Sequence, residues 1–310
     1  MRLLNNPQGI KTEFLAKATN AGEAVVTLMG CKVDDQDIAL EDGATLYLKQ
    51  RLGVSGDGVS SRAIVQDFAF ELEVANLTPV EELLEVASDF QDLISIATSR
   101  NAAFSGVAFR HPEVKGRNDV YRDIDYSAEW VAQPDDLGAP RPLVFTLDAM
   151  GGVPALARWA AESRKYRSEL GRVMSTRYVK SMYVSDKLLN RVAALESFDR
   201  ALTGRTNDTL RNRLKRSAER AGAEFKAMIG DIDKWSMIVK SDRNDVAHHL
   251  GQGREGAVQY FLAESAYWLF VMNMLRVCDA PQTVFDSIAK YREFSMLCDR
   301  VPALVQATMP

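Results

Sequence analysis

Between Val258 and Cys278 the chain carries Tyr260, Phe261, Leu262, Tyr267, Trp268, Leu269, Phe270, Met274 and Leu275, interrupted by Glu264, Asn273 and Arg276. A helix that is apolar around most of its circumference has no face to offer water, so the rest of the fold must surround it. The charged breaks and the polar sequence on both sides argue against a membrane span. A helix buried in a bundle or in a dimer is the expectation.

The segment just before it is the one with recognisable chemistry. Asp231-Ile232-Asp233 supplies a helix start, and Ile232, Trp235, Ile238 and Val239 follow at helical spacing. That helix carries or leads into Ser241-Asp242-Arg243-Asn244-Asp245-Val246-Ala247-His248-His249. Within it stands Arg-Asn-x-x-x-His: Arg243, Asn244 and His248. A guanidinium holds phosphate through a planar fork and stabilises extra negative charge on a phosphorane. An imidazole moves a proton near neutral pH. On a continuous helix Asn244 and His248 share a face while Arg243 points elsewhere. One copy therefore holds half of a site, and a two-fold axis would complete it, the expectation being a homodimer with a composite site. The plain alternative is a polar helix end with solvated histidines.

Net charge over the 310 residues is −4, which conceals an asymmetry. Residues 1–150 carry 13 Lys and Arg against 24 Asp and Glu, 151–221 carry 16 against 7, and 222–310 carry 9 against 11. The middle segment is the expected polyanion-facing surface. In it Arg213, Arg216 and Arg220 recur at helical spacing, with Arg211 and Lys215 beside them. These five are candidate RNA contacts or else an ordinary solvated helix face.

The acidic N-terminal half alternates in short apolar runs. Strands are expected at 44–49, 68–74, 106–109, 126–131 and 143–147, with one helix over 79–97 capped by Thr78. Strand-like sequence begins only after about forty residues. Pro134 to Pro142 is the expected linker. The fold class expected is α+β: a β-rich domain with one packed helix over 1–140, then an all-α bundle over 141–310.

Two further stretches carry a family resemblance. Leu188-Leu189-Asn190-Arg191-Val192-Ala193-Ala194-Leu195-Glu196-Ser197-Phe198-Asp199-Arg200 leads into Thr209-Leu210-Arg211-Asn212-Arg213-Leu214-Lys215-Arg216. With the Arg-Asn-x-x-x-His segment, this resembles the HEPN superfamily, specifically the C-terminal domain of ApeA-like anti-phage defence proteins. In that family the Arg-Asn-x-x-x-His segment opens a later helix. Arg141-Pro142-Leu143-Val144-Phe145-Thr146-Leu147, followed by Leu156-Ala157-Arg158-Trp159, resembles the join between its two domains. The likeness spans roughly 140–280 and is looser before that, where the late start of strand-like sequence implies a shortened domain or one completed by a partner.

The resemblance implies a metal-independent endoribonuclease of abortive antiviral defence, with RNA as substrate and no cofactor. His248 would be the general acid or base, Arg243 the phosphorane-stabilising group, Asn244 the residue that positions one of them, and Glu196 a partner for Arg243 or else a surface acid. The N-terminal domain would restrain the nuclease or receive a phage-derived trigger. A non-catalytic nucleic-acid or partner-binding module of the same fold is the alternative. A toxin paired with a nucleotidyltransferase is less well matched, because its relatives carry Tyr where Gln252 stands.

Other chemistry is thinly supported. Gly53 to Gly58 lacks the Lys-Ser/Thr of a phosphate loop and reads as a mobile turn. Asp34, Asp35, Asp37, Asp123 and Asp125 read as loop acids without ligand spacing, and His111 as a surface loop histidine. Cys31, Cys278 and Cys298 are too scattered for a disulfide framework or zinc site, so a reducing, cytoplasmic setting without membrane attachment is expected. No signal peptide is evident at 1–6.

Overall fold

A computed structural model describes residues 15–18, 24–27, 35–55, 63–104, 106–116, 121–126, 142–247 and 256–308. The expected linker up to 141, Cys31, Asp34, residues 56–58 and 127–131, and His248, His249 and Gln252 lie outside the described residues.

Alternation decides the N-terminal strands. In β4 (Thr45–Ser55) Leu46 and Leu48 are buried, while Tyr47 and Lys49 reach Glu73 and Glu71 of β5 (Ala63–Glu73) at 2.8 and 2.6 Å. β4 pairs antiparallel with β3 (Gln36–Ala39) on one side and β5 on the other, placing Leu46 opposite Leu72 and Leu48 opposite Phe70. Two hairpins stand apart from this sheet: β1 (Leu15–Ala18) with β2 (Ala24–Thr27), and β6 (Val107–Lys115) with β7 (Tyr121–Tyr126). Strand structure thus begins at Leu15, ahead of the forty-residue mark, because four-residue strands are too short to show alternation. Gly53 to Ser55 continue β4 instead of turning, and Asp37, Asp123 and Asp125 sit on strands, not loops. His111 lies in β6, its Nδ1 accepting from the Glu113 N–H at 3.2 Å. Pairing with β7 is irregular between Arg110 and Lys115, a stretch that contains Pro112, which has no N–H to give a ladder.

α1 (Val80–Thr98) covers the sheet through Phe90, stacked on Phe70 with centroids 5.2 Å apart. Pro79 occupies its N-cap without a side-chain bond, and the Thr78 hydroxyl turns back to the Asn76 carbonyl at 3.1 Å, so Thr78 does not cap. Glu81 and Glu82 meet the positive end of the helix instead.

After β7 every element among the described residues is a helix. Val144 and Phe145 are buried, but no strand forms at 143–147. The Val144 N–H bonds the Ala97 carbonyl at 2.8 Å, and Thr146 caps α2 (Leu147–Met150) by accepting from Ala149 N–H. A short apolar run is ambiguous between strand and core plug, and here the cap ends it. Then come α3 (Pro154–Lys165), α4 (Arg167–Tyr178), α5 (Val184–Thr203), α6 (Leu210–Ala221), α7 (Ala223–Ile229), α8 (Ile232–Ala247), α9 (Gly256–Val277), α10 (Gln282–Lys290) and α11 (Arg292–Ala307). The architecture is α+β, a small β region followed by helices.

α9 is the buried helix expected from its composition, with Leu262 to Leu275 shielded except at Glu264. Phe198 of α5 meets Phe270, and Phe294 of α11 meets Trp268, in edge contacts of 5.4 Å each. Among the described residues no helix is long and apolar enough to cross a membrane.

The other face of α1 joins it to the bundle through buried polar groups. Trp159 Nε1 donates to the Asp89 carbonyl at 2.8 Å, Arg167 holds the Asp89 carboxylate at 2.7 Å and also bonds Glu85, and Tyr178 donates to Asp92. Burial, with the nearby Asp89 charge adding to it, pushes the Asp92 carboxyl up to about 7.

An acid whose folded pKa is raised destabilises the fold as it ionises. Below about pH 4 both states are protonated; between about 4 and about 7 only the unfolded chain releases the proton, so stability falls as pH rises. Asp92→Asn is expected to flatten this fall. Thermal unfolding of both proteins across pH 4 to 8 checks it, and parallel curves would refute the assignment.

Candidate functional site

Asp231 begins α8 by accepting from the Lys234 N–H at 2.9 Å. Trp235, Ile238 and Val239 then seat the helix in the core, with Trp235 Nε1 donating to Ser265 Oγ at 3.0 Å. Asp242 continues this buried stripe at 1% exposure. The helical period therefore leaves Arg243 and Asn244 half-buried in the last turns of α8, at the rim of the bundle. They lie within α8, whereas the resemblance led to the expectation of a segment that opens a helix.

Arg243 is fixed from two sides. Its Nη2 lies 3.6 Å from Glu196 Oε2 of α5, and its Nη1 donates to Asn244 Oδ1 at 3.2 Å. Its Nε is buried without a hydrogen-bond partner among the described residues. Glu196 also lies 3.7 Å from Arg200 Nη2, so one carboxylate serves two guanidinium groups. The structure thus brings together Arg243, Asn244 and Glu196, a guanidinium with a spare donor held by an amide and an acid. His248 is outside the described residues.

The basic residues of α6 are placed otherwise than expected. Arg213 is buried at 1% exposure, with Nη2 donating to the Thr206 carbonyl at 3.0 Å and Nε to the Asp208 carbonyl at 3.4 Å. Arg216 bonds both carboxylate oxygens of Asp199 and gives Nη1 to Asp208 at 2.8 Å. Arg220 gives Nη2 to Asp199 at 3.2 Å and Nη1 to Asn273 Oδ1 of α9 at 2.8 Å. The reason is Asp199 itself, a carboxylate with 0% exposure on α5 that draws this face of α6 inward. Arg213, Arg216 and Arg220 therefore do not form a free polyanion-facing surface. Arg211 and Lys215 stay partly exposed, sharing Asp233 at 2.9 and 2.8 Å. The Arg216 guanidinium holds the Asp208 carboxyl down to about 2, helped by Asn212.

Asp199 had a legible signal in the sequence. It falls on the apolar stripe of α5 with Leu188, Val192 and Leu195, and a charge on such a stripe requires a buried partner. Arg191 lies on the same side of α5: fully buried, it pairs with Glu264 at 2.8 Å and donates to Thr176 Oγ1 at 2.9 Å.

Asp199→Ala would leave three guanidinium groups around an empty position, one of them buried. The expected cost is about 3–5 kcal/mol. Asp233→Ala, which touches only partly exposed cations, should barely move the unfolding midpoint. Urea unfolding of the two variants checks the contrast, and similar midpoints would remove Asp199 from its structural role.

Residues 9–136 match the family model described as ApeA N-terminal domain 1. No curated protein and no solved structure matches the chain. The segment from the first hairpin through α1 to β7 is thus similar to the N-terminal domain of ApeA.

Proposed function

We propose that this chain is a metal-independent endoribonuclease of HEPN type acting in anti-phage defence, its N-terminal segment restraining the nuclease or receiving the trigger. The observation that carries the reading is the half-buried Arg243–Asn244 pair in the last described turns of α8, its guanidinium braced by Glu196 and Asn244. The match of residues 9–136 to ApeA N-terminal domain 1 supports the defence role.

In this mechanism the ribose 2′-OH attacks the adjacent phosphorus as a base takes its proton. The P–O5′ bond breaks, the 5′ oxygen takes up a proton, and the products are a 2′,3′-cyclic phosphate and a 5′-OH. His248, which follows the last residue of α8 in the sequence, exchanges these protons. Arg243 stabilises the dianionic phosphorane, and Asn244 and Glu196 keep its planar fork from rotating away. DNA lacks the nucleophile and is not cut. Arg243 and His248 act across a two-fold axis in a homodimer.

Labelled single-stranded RNA incubated in EDTA, with and without lysate from phage-infected cells, tests the reading. Wild type should yield cyclic-phosphate ends. Arg243→Ala and His248→Ala should each lose on the order of a thousandfold in rate, with unchanged melting, while Glu196→Gln loses less. Mixing the two inactive variants should restore part of the activity. No cleavage by wild type in any arm would leave the non-catalytic binding module as the reading.

A further inference from the structure

The corner between α5 and α6 holds an open cleft of about 640 Å³ lined by Arg205, Thr206, Asn207, Asp208, Asn212 and Arg216. It belongs to none of the groups assigned above to RNA cleavage. Arg243 sits in the last described turns of α8, whereas Arg211 and Lys215, the sequence neighbours of the lining residues Asn212 and Arg216, pair with Asp233 in the opening turn of α8.

Charge is out of balance here. Among the described residues Arg205, Arg211, Arg213, Lys215, Arg216 and Arg220 are matched by Asp199, Asp208 and Asp233 alone. Asp208 is the acid in the cleft wall, and its oxygens are already taken: Oδ2 by Arg216, Oδ1 by the Thr209 N–H and by Asn212 Nδ2. Arg205 makes no ion pair among the described residues and is exposed. Cations crowded in a partly desolvated corner repel one another unless an anion joins them.

The cleft is also held in shape. Gly204 ends α5 in the left-handed region at φ 68, and buried Arg213 clamps the following loop through the carbonyls of Thr206 and Asp208. Arg216 is fixed at its base by Asp199. The twelve-residue α6 begins at the same place and adds the positive end of its dipole. Guanidinium groups with amide and hydroxyl donors around one opening suit a tetrahedral oxyanion with several acceptor oxygens.

The geometry points to a phosphate-binding site at the α5–α6 corner, with exposed Arg205 as its free cation, Arg216, already paired with Asp199 and Asp208, at its base, and Asn207 and Thr206 as further donors. The phosphate comes either from a free phosphorylated metabolite or from a nucleic-acid backbone.

Calorimetric titration of the full chain with inorganic phosphate, against sodium acetate at equal ionic strength, tests the site. Wild type should bind phosphate and not acetate. Arg205→Ala should weaken binding about tenfold and Arg205→Glu further, both with unchanged melting because the Arg205 side chain makes no hydrogen bond or ion pair among the described residues. A short single-stranded DNA, which the proposed nuclease would not cut, then identifies the source. Displacement of phosphate by DNA in an Arg205-dependent way assigns the site to a strand backbone, and its failure, with a mononucleotide displacing phosphate, assigns it to a free metabolite. Absence of phosphate binding by wild type, or equal binding by both Arg205 variants, overturns the proposal. Neither result bears on cleavage at Arg243.

Discussion

The bundle is organised by the need to enclose α9. Its buried run offers water only the partly shielded Glu264, so helices must approach from all round, and α5, α6, α7 and α11 do so. Their packing supplies the large apolar term, while Asn273, buried within the run, fixes how they are oriented. Its amide donates to the carbonyls of Ser217 and Leu269 at 3.0 and 2.8 Å and its oxygen accepts from Arg220. A buried amide satisfied on all sides tolerates little rotation or sliding of its neighbours.

From that contact the order spreads outward. Arg220 links α9 to Asp199 on α5, Asp199 gathers Arg213 and Arg216, and these hold the loop before α6. The same α5 presents Glu196 toward α8. A single helix thus supplies a buried acid that organises packing and a half-exposed acid that braces a candidate reactive arginine. They lie three residues apart, which on a helix is nearly one turn.

Much of this was readable before the structure. Periodicity identified α1, α8 and α9, Asp231 marked the start of α8, and the pairing of Glu196 with Arg243 was among the sequence expectations. Three failures have physical causes. The earliest hairpin consists of strands too short to establish a period. The run 143–147 has strand-like residues, yet tertiary packing made it a plug. The α6 arginines were counted as charge on one helix, whereas their direction is set by an acid on another. Arg213 shares its side of α6 with Leu214, Ser217 and Ala218, so the apolar stripe held the answer that the charge count hid.

α1 lies inside the segment similar to the ApeA N-terminal domain, yet its buried carboxylates face Arg167 and Tyr178, and its C-terminal Ser99 bonds Glu293 of α11 at 3.0 Å. The stretch recognisable as a sequence unit therefore packs its own helix against the helical bundle. Whatever meets the small sheet meets, one layer beneath it, the wall of the helical core.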